Sequence, residues 1–175
     1  GGIYSMVSIA SGPVRFVAVG HGPTGPIAWV SADGTDWNRG DSTAFGPGRV
    51  EFVVTIDGGY LAVGRGERGS AQSWVSPDGR SWREPVTLPG MDEGLISQIA
   101  AGPAGVLAIG YALGDMTRYG FWMTTDGVTW NLVRTAPSLG FEPGIALATS
   151  DSGYLAIGSS DEFGTPEPMA WTSAN

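Results

Sequence analysis

Two short glycine-containing stretches, RGERGSAQ (65–72) and YALGDMTRYG (111–120), hold Arg65, Arg68, Tyr111, Arg118 and Tyr119. Guanidinium groups mixed with phenols and a few acids suit a polar ligand or a protein partner. A second set of residues repeats: Ser31-Asp33-Gly34-Trp37, Ser76-Asp78-Gly79-Trp82 and Thr124-Asp126-Gly127-Trp130. An acid beside a glycine, with a hydroxyl two residues before the acid and an indole four after it, could be a ligand site, a sugar-reading aromatic or a brace. Metal chemistry has little to work with. His21 is the one histidine, cysteine is absent, and the acidic turns lack the clustered carboxylates and bidentate Glu of a calcium loop. No metal, cofactor or catalytic residue is therefore expected.

The elements that position these groups come from a repeat. Trp29, Trp74, Trp122 and Trp171 are spaced by 45, 48 and 49 residues. Eight residues after each of the first three stands Trp37, Trp82 or Trp130, so all seven tryptophans obey one pattern. Upstream lie VAVG (17–20), LAVG (61–64), LAIG (107–110) and LAIG (155–158), each preceded by another strand-like run. Each repeat thus offers four short strands separated by Gly, Pro, Asp and Ser turns, the fourth starting at the second tryptophan. Four strands in about 45 residues is the size of a propeller blade. The large-small alternation, as in Val17-Ala18-Val19, lets a neighbouring sheet approach closely. The expected fold is all-β: a β-propeller of four-stranded antiparallel blades, four repeats (approximately 1–43, 44–88, 89–137 and 138–175), the last lacking its outer strand.

The acidic turn itself needs no ligand. Asp accepts bonds from nearby backbone N–H groups, and the following Gly permits positive φ. The indole buries a large ring, contributing about 2–3 kcal/mol by area. SADGTDW, SPDGRSW and TTDGVTW resemble the Asp-box, or bacterial neuraminidase repeat, of sialidase-like β-propellers. The resemblance covers all four repeats, with the motif complete in three and one residue tighter than usual between Asp and Trp. It implies that the boxes are structural and lie away from any active site. It also raises a carbohydrate-active alternative, in which Arg65, Arg118 and Arg134 would converge with Tyr119 and Glu67. The family's Arg-Ile-Pro signature is absent, and its enzymes have six blades. The reading is therefore a non-enzymatic binding or scaffold propeller that engages a protein or glycan.

In such a fold the strand 2–3 loops and inter-blade connections lie opposite the boxes. From the x-A-x-G glycine to the first tryptophan is 9, 10, 12 and then 13 residues, so length accumulates in the 2–3 loops. Loops on a rigid scaffold are where binding tends to sit. This assigns the ligand-facing role to Arg65, Arg68, Tyr111, Arg118 and Tyr119.

The bulk numbers set limits. Glycine (29) and proline (12) suit many turns, and 42% hydrophobic residues suffice for a core. A net charge of −8, with all nine cations arginine, argues against nucleic acid. No apolar run approaches the ~20 residues that span a membrane. Missing lysine with abundant glycine and alanine suits a GC-rich bacterial gene, and Asp-box proteins are often exported, so an extracellular or cell-surface location is expected. The chain opens on Gly1-Gly2 without a leader pattern, which leaves a removed leader open. Asn175 falls on the Asp position of the fourth box. The expectation is part of a longer chain or a homodimer completing a larger ring, ahead of a closed four-blade monomer.

Overall fold

The structure, a computed structural model, describes residues 4–112, 115–137, 145–160 and 167–174. Four antiparallel sheets follow one another along the chain. The first holds β1 (Ser5–Ser11), β2 (Phe16–Gly22), β3 (Gly25–Ser31) and β4 (Asn38–Arg39). The second holds β5 (Arg49–Ile56), β6 (Gly59–Arg65), β7 (Ala71–Ser76) and β8 (Val86–Thr87). The third holds β9 (Gly94–Gly102), β10 (Gly105–Ala112), β11 (Asp115–Thr124) and β12 (Asn131–Pro137). The fourth has three strands: β13 (Ala146–Ser150), β14 (Gly153–Ser160) and β15 (Glu167–Ala174). Each sheet is a meander in chain order, and the sheets are four propeller blades, the last without an outer strand. The one helical turn among the described residues is a 3-10 turn at Thr43–Phe45.

Strand alternation explains how the blades stack. On β2, Val17 and Val19 point to one face and Ala18 to the other. The large face of each blade packs on the small face of the next. Val17, Val19, Ala28 and Val30 meet Val53, Tyr60, Ala62 and Trp74. Leu61 and Val63 meet Ile96, Val106, Ala108 and Trp122. Leu107, Ile109 and Phe121 meet Tyr154, Ala156 and Trp171. Alanine sits at the centre of every small face, where a longer side chain would hold the sheets apart.

The glycine closing each of the first three x-A-x-G runs has a structural cause that its position alone did not reveal. The first strand of each of the first three blades bulges there: at Met6/Ser8, at Val50/Phe52 and opposite Ile109/Gly110. A Cβ on Gly20, Gly64 or Gly110 would collide with the carbonyl oxygen of Ser5, Arg49 or Leu95. The bulge needs that close backbone approach.

Two expectations are corrected. The fourth strand does not start at the second tryptophan in blade two. Pro85 has no N–H to give, so pairing waits until β8 at Val86. Only an isolated bond, Arg83 N–H to the Val75 carbonyl at 2.9 Å, fixes the intervening chain. The extra residues of the third blade do not form a long loop either. They extend the ladder, with β10 running to Ala112 and β11 beginning at Asp115.

Candidate functional site

The three acidic hairpins repeat one bond set. The Ser31 hydroxyl accepts from Gly34 N–H at 2.8 Å and donates to the Asp33 carboxylate at 3.1 Å. That carboxylate accepts from Thr35 and Asp36 N–H at 2.8 and 3.0 Å. Ser76, Asp78 and Gly79 repeat the arrangement, as do Thr124, Asp126 and Gly127. Gly34, Gly79 and Gly127 have φ of 81°, 73° and 75°, where a side chain is strained. Two backbone N–H donors hold the Asp33 carboxyl well below the usual range. The same pair, from Thr129 and Val128, brings Asp126 to about 2. Burial pushes the Asp78 carboxyl up, and bonds from Arg80, Ser81 and Ser76, with the Arg15 charge, carry it below normal. These acids are spent on their own turns, which is the chemistry of a brace.

The tryptophans of the second and third hairpins pack against the blade before. Trp130 is buried, and its indole N–H donates to the Ser73 hydroxyl at 2.9 Å; that hydroxyl donates to the Gly127 carbonyl at 2.9 Å. Trp82 is equally buried, but its Nε1 has no partner. The register gives the reason. Ser73 opposes Val63, and the residue opposing Val19 in the blade before is Ala28, which has no hydroxyl. Trp37, in the first blade, is half-buried and bonds back to its own Gly34 carbonyl at 3.1 Å.

On the opposite edge the structure brings together four of the five predicted ligand residues through the backbone. Arg65 ends β6 and is half-buried, and Arg68 is exposed on the turn that follows. That turn is closed by Gly66 N–H to Ser70 carbonyl and by Gly69 N–H to Gly66 carbonyl. It is fastened to the next blade, where the Gly69 carbonyl accepts from Gly94 N–H at 3.0 Å and Ala71 N–H donates to Met91 at 2.9 Å. Gly94 and Leu95 pair with Ala112 and Tyr111. Tyr111 and Tyr119 then stack edge-to-face with ring centroids 5.8 Å apart. Burial, and next the Tyr111 neighbour, push the Tyr119 phenol up. Arg118 pairs through its backbone with Pro137 on β12; its side chain lies outside the described residues, as does 161–166 of the fourth loop.

Sequence reasoning missed a third feature. A cavity of about 300 Å³ opens between blades three and four, lined by Leu107, Phe121, Met123, Arg134, Tyr154 and Trp171 among others. Its lining comes from two blades, so no single motif marks it.

No family model matches the chain, and no curated protein matches it. Among solved structures, one described as "YCF48 bound to D1 peptide" is similar, with a TM-score of 0.45 and 12% identity. The match covers 94% of this chain and 66% of that one, so the chain spans just under two thirds of that structure's length.

Proposed function

We propose that this propeller is a binding scaffold that holds a protein segment or a glycan on the edge bearing Arg65, Arg68, Tyr111, Arg118 and Tyr119. The observation that carries it is the Tyr111–Tyr119 ring pair, which shares this edge with the Arg65–Arg68 turn through the bond from Gly94 N–H to the Gly69 carbonyl. Edge-to-face phenols on the same edge as the Arg65–Arg68 turn offer flat apolar surface and charge together. The strongly perturbed carboxylates at Asp33 and Asp126 belong to the braces, which supports binding over acid-base catalysis. The likeness of those braces to Asp boxes supports a secreted or surface-exposed bacterial protein.

A glycan array and a peptide library, screened with the chain and with Arg65→Ala/Tyr111→Ala, test this reading. The double variant keeps the melting temperature and loses the hits. Turnover of a fluorogenic sialoside panel that disappears in Arg118→Ala would replace it with the carbohydrate-active alternative. The exposed apolar faces at the two ends of the blade stack favour a second element of the reading, that a second copy pairing head to tail, or the rest of a longer chain, covers them.

A further inference from the structure

On the hairpin edge, a polar cavity of about 280 Å³ opens where blade two meets blade one. Arg15 lines it from the β1–β2 turn, Asp36 and Asn38 from the first hairpin, and Arg80 from the second; Val14 and Val30 add apolar wall. The other blades serve as an internal control. Arg15 precedes Phe16, which pairs with Ser31, as Gly59 precedes Tyr60, which pairs with Ser76. The arginine therefore stands where blades two, three and four have Gly59, Gly105 and Gly153, with φ of 153°, 122° and 138°. A Cβ on Gly59 or Gly105 would strike the carbonyl oxygen of Ser76 or Thr124. Blade one avoids that clash with a longer turn, residues 12–15, closed by Gly12 N–H to the Arg15 carbonyl at 2.9 Å. Asp36 stands where the other hairpins have Ser81 and Thr129, and Arg80 where they have Thr35 and Val128. Three charges, each a departure from the repeat, thus meet at one cavity.

The structural duties of these three residues fall on their backbones. Asp36 N–H bonds the Asp33 carboxylate, and Arg80 N–H bonds that of Asp78. The Arg80 carbonyl accepts from Asp41 N–H, and the Arg15 carbonyl from the Tyr60 hydroxyl. The Arg15 charge reaches Asp78, whose carboxylate is already bonded within its own turn. Among the described residues, none of the three side chains has a hydrogen bond or close ion pair. Asp33, also on the cavity wall, is spent on its turn, so Asp36 is the acid left for a ligand.

We propose that this cavity binds a small zwitterion, an α-amino acid with an aliphatic side chain. Its carboxylate meets Arg15 and Arg80, its ammonium meets Asp36, and its side chain lies toward Val14 and Val30. Guanidinium forks match a carboxylate, and the volume suits one small molecule. Specificity comes from both signs together: Asp36 repels a ligand that is only an anion, and the two arginines repel one that is only a cation. The cavity lies on the edge opposite Arg65 and Tyr111, so failure here leaves the reading of that edge intact.

The probes are L-leucine, its amine-free analogue 4-methylpentanoate and its charge-blocked analogue L-leucine amide, titrated calorimetrically into the chain at low salt. Leucine should bind one to one, and each analogue about tenfold more weakly or worse, as losing a charge-assisted contact implies. Arg15→Gly, Asp36→Ser and Arg80→Val each install the residue of another repeat and leave the backbone bonds in place. All three should keep the parent's urea midpoint and weaken leucine about tenfold. Asp36→Ser should also erase the preference for leucine over 4-methylpentanoate, which a merely structural role would not do. No binding at tens of millimolar leucine overturns the proposal, as does equal binding of the amine-free acid by the parent chain. A lowered urea midpoint with unchanged affinity would make these side chains props for the hairpins and overturn it too.

Discussion

At the scale of single residues, the two buried indoles of the hairpins form an experiment already half done. Trp130 has Ser73 to accept its N–H, and Trp82 has no acceptor, Ala28 standing in blade one at the register position that Ser73 holds in blade two. An unsatisfied buried donor costs about 1–3 kcal/mol, and a made hydrogen bond nets about 0.5–1.5 kcal/mol. Ala28→Ser should therefore stabilise the chain by about 1 kcal/mol. Ser73→Ala should destabilise it by about 1–3 kcal/mol, because Trp130 loses its acceptor and the Gly127 carbonyl its donor. Urea midpoints at constant m-value check both. The acidic braces give a pH prediction. Asp126 is depressed from 3.8 to about 2 in the folded state, so its contribution is complete above the unfolded value and lost as pH falls through the folded one. Asp126→Asn should be less stable than the parent at pH 6, and the gap should close between about pH 4 and pH 2. A gap that stays constant across that range would show that the carboxylate charge contributes nothing.

At the scale of elements, the ladders are unequal, and the inequality is measurable. β4 and β8 are two residues each, while β9 and β10 pair from Gly94–Ala112 to Gly102–Gly105. Exposed, short pairings open locally at little cost, and ladders flanked by packed faces open only with the whole fold. Amide exchange should be fast at Arg39 and Thr87 and slowest at Leu61–Val63 and Ala108–Ile109, by several orders of magnitude. This division shows what the sequence could disclose. The x-A-x-G runs and the paired tryptophans were legible because one residue type carries each duty: Ala for close approach, Gly for the bulge, Trp for the lock. β8 was not legible at Trp82, because Pro85 removes a donor only once the partner strand is known. Tyr111 and Tyr119 could be chosen as site residues, but their contact depended on β10 and β11 continuing as strands through what read as a loop. The cleft beside β15 was invisible, since it is a property of two blades together.

At the scale of the molecule, the stacking rule leaves one unmatched face at each end. The small face of blade one carries Met6, Ile9, Ala18 and Trp29, and Ile9 is 59% exposed where its counterpart Val53 is 3%. The large face of blade four carries Ala146, Ala148, Leu155, Ile157 and Ala170, all exposed, with Ile157 at 48%. Within the chain a large face meets a small face three times over. The two free faces are the two halves of that same contact, and they do not cover each other. Contiguous apolar surface of this kind marks an association site. A contact between different patches on each copy is heterologous, and it closes only if the rotation permits. Two copies would supply eight blades. If a second copy, rather than the rest of a longer chain, covers these faces, light scattering gives a dimer of the 18.1 kDa chain. Because each copy carries −8, raising salt should strengthen pairing by screening the repulsion. Ile157→Glu and Ile9→Glu should each remove the parent dimer. An equimolar mixture of the two variants should recover a single-junction dimer, since each then contributes its intact end. A monomer across the whole concentration range for the parent chain, or a mixture that stays monomeric, would refute the head-to-tail arrangement.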